Sequence, residues 1–308
     1  MTLQQMEYIV AVDQYRHFAR AAESCGVTQS TLSSMIQKLE AELDMLLFDR
    51  NTHPVKPTLS GEEIIRQAKV VLYHASQLKE MALSEHHLEK GEIKLGIIPT
   101  IAPYILPRFF KKLYQKHPDI QLRVIEAHST SLMERLERAE LDMAILTAPA
   151  IRADMLEIPL YREKLLAYVS MNEALSAQAE INIDQLPSDH LWVLQEGHCL
   201  RNQVLNFCEK KSDYAAIYEA GSIETLVKIV DENGGYTIIP EFHVQLLRKC
   251  QQKQIRRLVN PEPFREIVLM IRKDYVRERM LNIIADTLRD IIPDHMVNER
   301  LKRFAIRL

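Results

Sequence analysis

The amino-acid sequence predicts a two-part chain of α/β class: a small helical head with a long helix, then two α/β lobes flanking a cleft. Three observations carry that expectation. A helix, a glycine turn and a second helix fall within the first 60 residues, an apolar heptad seam follows, and beyond Gly91 strands and helices alternate. A chain of 308 residues has room for two or three domains and ample core. Its 47% apolar and 26% charged residues are ordinary for a globular protein.

Residues 1–60 read as a compact helical module. Leu3, Met6 and Val10 recur at helical spacing, and Phe18-Ala19-Arg20-Ala21-Ala22 carries small residues that let another helix approach. Gly26 supplies the positive φ of a tight turn, and Thr28 suits an N-cap. Leu32, Ile36, Leu39 and Leu43 then form one apolar stripe. This is the helix-turn-helix pattern, whose second helix enters the major groove of double-stranded DNA with its first residues at base edges. Here those residues are Thr28, Gln29, Ser30, Thr31, Ser33 and Ser34, with Lys38 one turn on. Charge argues the other way. Five basic residues (Arg16, Arg20, Lys38, Arg50, Lys56) face seven acids (Glu7, Asp13, Glu23, Glu40, Glu42, Asp44, Asp49), whereas a DNA reader normally has a basic footprint. A small protein-interaction bundle therefore stays open on charge. Arg50, Lys56 and the turn-rich segment between them suit a wing lying against phosphates.

Residues 61–90 read as a long helix. Ile64, Ala68, Val71, Ala75, Leu78 and Ala82 alternate by four and three, the seam of a coiled coil. About 26 such residues span roughly 39 Å at 1.5 Å each, a length that suits a dimerisation arm.

From 91 to 308 the texture is that of alternating strands and helices. Strands are expected at Ile93–Ile98, Gln121–Ile125, Leu141–Leu146, Leu165–Val169, Leu191–Leu194, Tyr236–Ile239 and Ile267–Ile271. Helices are expected near 103–116, 131–139, 200–208, 223–232 and 276–292. Alternation argues a parallel sheet, divided into one lobe of about 91–162 with 267–308 and another of about 163–266. Ligands in open α/β sheets sit beyond the carboxyl ends of strands. That rule selects Pro99-Thr100 and Glu196-Gly197-His198-Cys199. The basic tail (Arg300, Lys302, Arg303, Arg307) reads as solvated.

Two of the four cysteines, Cys199 and Cys208, lie nine positions apart, the first between His198 and Arg201. A cation beside a thiol favours the thiolate, the form that attacks peroxides and disulfides. Within one helix, nine residues separate the pair by roughly 13 Å, yet a disulfide needs Cα atoms about 4.4–6.8 Å apart. Bridging them would require the helix to melt. Two buried cysteines that never react are the plain alternative, and the residues alone leave both open. Cys25 reads as helix-turn-helix core and Cys250 as incidental.

Other classes are disfavoured. No basic, apolar leader opens the chain and no run of 18 apolar residues occurs, so neither a signal peptide nor a membrane span is expected. Few cysteines without an export signal imply a reducing compartment, the cytoplasm. A net charge of −3 gives no global pull towards nucleic acid, so DNA contact must be local. No Cys/His set has metal-ligand spacing, His86-His87 reads as the end of the long helix, and no cofactor is expected.

The first 90 residues resemble the winged helix-turn-helix and linker helix of LysR-type transcriptional regulators. The matching run is Phe18–Ala22, Val27-Thr28-Gln29-Ser30-Thr31-Leu32-Ser33, Ile36–Glu40 and Leu43. The remainder looks like that family's effector-binding, periplasmic-binding-protein-like regulatory domain. Within the family it is most similar to the peroxide-sensing branch, on Gly197-His198-Cys199-Leu200-Arg201 with Phe207-Cys208, and Ile98-Pro99-Thr100 with Pro103-Tyr104 and Leu106-Pro107.

The resemblance implies that Cys199 reacts with hydrogen peroxide and Cys208 resolves it into a reversible disulfide. His198 and Arg201 would surround Cys199, Thr100 and Ser129 would present hydroxyls to peroxide, and Arg265 is the nearest candidate for a basic residue of the pocket. It also implies a dimer through the linker helix, a homotetramer, RNA polymerase as a partner and resetting by dithiol reductants. The branch commonly has threonine where Ser129 stands and an acid where Asn202 stands. Serine keeps the hydroxyl, while losing the acid removes a charge near the switch, so the redox set point can differ. Two readings compete: a regulator of the same family that binds a small anionic metabolite, its cysteines inert, and a thiol peroxidase. A peroxidase needs neither a helix-turn-helix nor a heptad arm, so no enzyme is expected.

Overall fold

The computed structural model describes residues 1–84, 91–148, 152–187, 190–208 and 219–297, the side chains of 79–84, 206–208 and 219 excepted. His86-His87, the basic tail and the Cys208 side chain lie outside the described residues. The chain divides into two compact units, Met1–Leu88 with Glu137–Glu140, and Glu89–Leu136 with Leu141–Leu308.

The first unit holds α1 (Leu3–Tyr15), α2 (Phe18–Ser24) and α3 (Gln29–Leu43). Each start is set by a side chain that satisfies otherwise unbonded N–H groups: Thr2 in a capping box with Gln5, His17, and Thr28. Gly26 takes φ +67°, the left-handed turn the sequence required. Leu32, Ile36 and Leu39 are buried as expected. The spacing of Leu3, Met6 and Val10 misplaces the core face of α1. Leu3 is exposed and Val10 half-buried, whereas Met6, Ile9 and Val12 form the buried row, joined by Tyr8. Strands β1 (Phe48–Asp49) and β2 (Lys56–Pro57) pair antiparallel as the wing. The long helix α4 runs Leu59–Ser84, 26 residues. Of its seam, Ala68 is buried in the head core, Ile64 and Val71 are half-buried against it, and Leu78 is exposed. No helix among the described residues is long and apolar enough to cross a membrane.

In the second unit β3 (Gly91–Ile97), α5 (Ala102–Lys116), β4 (Ile120–Glu126), α6 (Ser129–Glu137) and β5 (Met143–Thr147) follow the expected rhythm. Then comes β6, Met155–Val169, three times the length expected. After it lie β7 (Glu180–Asn182), β8 (Val193–Leu194), α7 (Cys199–Cys208), β9 (Glu219–Ala220), α8 (Ile223–Asn233), β10 (Tyr236–Pro240), α9 (Lys249–Gln252), β11 (Ile255–Val259), β12 (Phe264–Arg272) and α10 (Glu278–Arg289).

The expected parallel sheet is a mixed one. Strands β3, β4 and β5 are parallel, but β12 is antiparallel to both β5 and β6, and β10 and β11 are antiparallel to β6. The cause is β6 itself. Residues 155–164 pair with β12 in one lobe, and from Leu165 onward the strand pairs with β10 in the other. A strand shared this way joins the lobes directly, and its partners must run against it. The second lobe closes around Leu165, Tyr168, Ile181, Leu194, Leu200, Val204, Leu226, Val230 and Ile239, all buried.

Candidate functional site

Four loops follow parallel strands and meet at the cleft: 98–101 after β3, 127–128 after β4, 195–198 after β8, and 221–222 after β9. Each leads into a helix. Ser129 opens α6, Cys199 opens α7 and Ser222 caps α8. Helix N-termini carry partial positive charge and unbonded N–H groups, so the loops gather groups suited to an anion or a reacting oxygen.

Ser129 and Cys199, 70 residues apart in sequence, meet with Oγ and Sγ 2.9 Å apart, a hydrogen bond in which either atom can donate. The thiol is thus held across the seam between the lobes. Cys199 is half-buried. Gly197, at φ +95°, lets the chain turn into α7 with its backbone against the His128 ring, where an added Cβ would come 3.4 Å from the imidazole.

His198 is buried, 4% exposed, edge-on to His128 with ring centres 4.5 Å apart. Burial, then the neighbouring His128, hold its pKa below the ordinary histidine value against an opposing hydrogen bond to the Gly221 backbone. The imidazole is neutral at pH 7, so it is not the cation the sequence suggested. Nor does Arg201 close on the pocket. Its Nη1 donates to the Leu194 carbonyl at 3.0 Å, and it lines a second cavity beneath α7 with Leu200 and Val204.

Arg265 is the basic group at the centre. It is fully buried against Glu163, with Nε donating to Glu163 Oε1 at 2.9 Å. Its Nη1 donates to Thr100 Oγ1 at 2.9 Å, and Nη2 to the Thr100 carbonyl at 3.1 Å and to Tyr104 Oη at 2.8 Å. Tyr104 in turn donates to Glu163 Oε1 at 3.0 Å, and the Phe242 N–H donates to Oε2 at 3.1 Å. Burial alone would favour loss of the arginine proton, but the Glu163 carboxylate keeps the guanidinium charged. Burial pushes the Tyr104 hydroxyl well above its ordinary range, so it stays protonated.

Thr100 and His198 share a small pocket with Pro103, Ser222, Glu224 and His243. Its interior offers ≈ 10 Å³ to the centre of a water-sized molecule, enough for about one. The His198 Nε2 and His128 Nδ1 atoms are buried without a hydrogen-bond partner among the described residues. No group of three or more His, Cys, Asp or Glu among the described residues could hold a metal ion.

Of the residues singled out in the sequence, Thr100, His198 and Arg265 cluster around the pocket, Ser129 and Cys199 pair beside His198, and Arg201 turns elsewhere. Sequence reasoning missed His128, Glu163 and His243. The carboxyl-end rule that found Thr100 points equally to His128 and Ser129 after β4. Glu163 had no signal of its own, because it stands in the charged run Arg162-Glu163-Lys164.

In the head, Gln29, Ser30, Thr31, Ser34 and Lys38 lie exposed along α3, and Ser33 is half-buried. The Thr28 hydroxyl accepts from the Thr31 N–H at 3.2 Å, so its first role is to cap. Arg50 Nη2 donates to buried Glu40 Oε2 at 2.8 Å, with its guanidinium 5.3 Å from the Phe18 ring centre. Glu40 also accepts from the Leu47 and Phe48 N–H groups, tying wing to α3.

Residues 3–62 match the model of the bacterial regulatory helix-turn-helix proteins of the LysR family, and residues 86–292 that of the LysR substrate binding domain. A hydrogen peroxide-inducible genes activator of Haemophilus influenzae is 36% identical over 95% of this chain and 99% of its own length. Among solved structures, a full-length OxyR variant from Pseudomonas aeruginosa superposes with TM-score 0.81 at 33% identity, covering 94% of this chain and 95% of that one. An H2O2-bound OxyR variant from Corynebacterium glutamicum gives TM-score 0.62 at 26% identity, over 94% and 92% of the two chains. The chain therefore belongs to the LysR family of transcriptional regulators.

Proposed function

We propose that the chain is a hydrogen-peroxide-responsive regulator of transcription whose switch is a reversible disulfide between Cys199 and Cys208. The observation that carries this reading is the Ser129–Cys199 hydrogen bond next to His198, which lines a pocket with room for about one water-sized molecule. The relatives' names, peroxide-inducible activator and H2O2-bound OxyR, support the same chemistry.

The reaction runs in two steps. The Cys199 thiolate attacks one peroxide oxygen: an S–O bond forms, the O–O bond breaks, and sulfur gives two electrons to the departing hydroxide, which takes a proton and leaves as water. Cys199 is now a sulfenic acid. The Cys208 thiol then displaces the hydroxyl from that sulfur, forming S–S and releasing a second water. Because α7 is continuous from Cys199 to Cys208, the second step demands that its turns unwind. Leu200 and Val204, buried in the lobe core, must repack, and a packed core shifts between discrete arrangements. That shift would be relayed to heads that read double-stranded promoter DNA through Gln29, Ser30, Thr31, Ser33, Ser34 and Lys38. Pairing of two chains along α4, a tetramer, contact with RNA polymerase and reduction by cellular dithiols complete the reading.

The test is peptide mass spectrometry of the full chain after brief treatment with stoichiometric peroxide. The expected product is a 199–208 linkage, absent from Cys199→Ser. Cys208→Ser should stop at a trappable sulfenic acid. A wild-type chain whose Cys199 stays a thiol while Cys250 oxidises would overturn the reading.

A further inference from the structure

We infer that Glu163 is a positioning residue for the peroxide reaction: through Arg265 it forces the Thr100 hydroxyl to point its hydrogen into the pocket. The inference rests on the peroxide reading above. It needs neither the unwinding of α7 nor Cys208.

A hydroxyl has one hydrogen to donate and lone pairs to accept with. Arg265 has donors and no acceptor, and its Nη1 sits 2.9 Å from Thr100 Oγ1. Thr100 Oγ1 must therefore accept on that side, and its own hydrogen is turned away from the guanidinium. No acceptor for it exists among the described residues, and Thr100 is 5% exposed and lines the pocket. A buried hydroxyl hydrogen without an acceptor is the group that a departing peroxide oxygen needs, since negative charge grows on that oxygen as the O–O bond breaks.

Arg265 alone does not fix this direction, because a guanidinium can rotate. Glu163 removes the freedom. Its Oε1 takes both Arg265 Nε at 2.9 Å and the Tyr104 hydroxyl at 3.0 Å, and its Oε2 takes the Phe242 N–H at 3.1 Å. Tyr104 closes the ring by accepting from Arg265 Nη2. The β6–β12 register places Glu163 directly opposite Arg265. Both side chains are 0% exposed, so water cannot substitute for either.

The experiment measures two rate constants at Cys199 in the full chain, by quenched peptide mass spectrometry: one for hydrogen peroxide, one for iodoacetamide. Alkylation breaks no O–O bond and needs no donor to a leaving oxygen, so the ratio of the two isolates the hydroxyl. Glu163→Gln can present an acceptor to Arg265 and Tyr104 or to Phe242, but not to both. It should lower the ratio roughly tenfold, less than the roughly hundredfold expected when Thr100→Val deletes the donor. In a Thr100→Val background, Glu163→Gln should change the ratio less than about twofold, as for residues acting through one group. Should Glu163→Gln fail to fold, replacing Glu163 and Arg265 together with Met leaves no buried charge unpaired and should lower the ratio by at least as much. A normal ratio in either Glu163 variant, or equal losses with and without the Thr100 hydroxyl, overturns the inference while the sensor reading stands. Wild-type Cys199 reacting with peroxide no faster than exposed Cys250 overturns both.

Discussion

The two sides of the peroxide pocket are built on opposite principles. On the β6–β12 side, Glu163, Arg265, Thr100, Tyr104 and the Phe242 N–H form a closed ring in which the buried charges are paired and hydrogen-bonded. On the α7 side, His198 Nε2, His128 Nδ1 and Gln203 Oε1 are buried with no partner among the described residues. Unpaired buried polar atoms cost free energy, so these three loosen the α7 side, whereas the wall it faces has one beside its paired charges, Tyr161 Oη. A fixed wall that orients the reacting groups, opposed to a helix that can yield, is what a switch of this kind requires. The contrast also says where substitutions should hurt.

Arg265→Ala should have the largest effect, since it strands the Glu163 carboxylate in the core. A loss of about 3–5 kcal/mol of stability is expected on urea unfolding, while the same truncation at exposed Lys38 should cost less than about 0.5 kcal/mol. A loss below about 1 kcal/mol at Arg265 would mean that the ring is not the rigid wall described.

Acid should weaken the pocket next. His198 and His243 both have pKa values lowered from 6.5, chiefly by burial. Below pH 6.5 the unfolded chain binds protons that the folded chain still refuses. Stability is therefore full above that pH, falls as pH drops through it, and levels off once the folded imidazoles protonate. Unfolding series from pH 7.5 to 5 should show this decline, and it should shrink in His198→Asn with His243→Asn. A decline of the same size in the double variant would assign it to other groups.

A smaller effect is expected in the head. Arg50→Ala leaves buried Glu40 its two backbone donors, and the half-exposed Arg50 position admits water, so about 1 kcal/mol should be lost, measurable by thermal unfolding. Ser30→Ala, exposed and without a buried partner, should leave stability unchanged within about 0.5 kcal/mol yet weaken binding in a DNA mobility assay. Gln203→Leu should have the smallest effect and the opposite sign. Removing an unpaired buried oxygen should stabilise α7 by up to about 1 kcal/mol and raise the peroxide dose needed for half-oxidation. A lower dose would contradict the view of α7 as the weakly held side.

The parts that sequence reveals are those written locally. The Gly26 turn, the Thr28 cap and the stripe through Leu32, Ile36 and Leu39 need no distant partner, and neither does the placement of Thr100 and Cys199 after strands. Three features escaped for want of a local signal. Strand β6 carries Glu157, Arg162, Glu163 and Lys164 in its first ten residues, which breaks the apolar run that marks a buried strand. Strands β7 and β9 are three and two residues long, below any periodicity. The Glu163–Arg265 pair spans 102 positions, so each looks like a surface charge until β6 and β12 are laid side by side. Even the electrostatics of His198 reversed between sequence and structure, because burial, invisible in the sequence, decides its charge.

Amide hydrogen exchange across residues 199–208 of the full chain, before and after one equivalent of peroxide, tests the central claim most directly. The account predicts protection in the thiol form, its loss on oxidation, its return with a dithiol, and retention throughout in Cys208→Ser. Equal protection in the thiol and oxidised chains would contradict it.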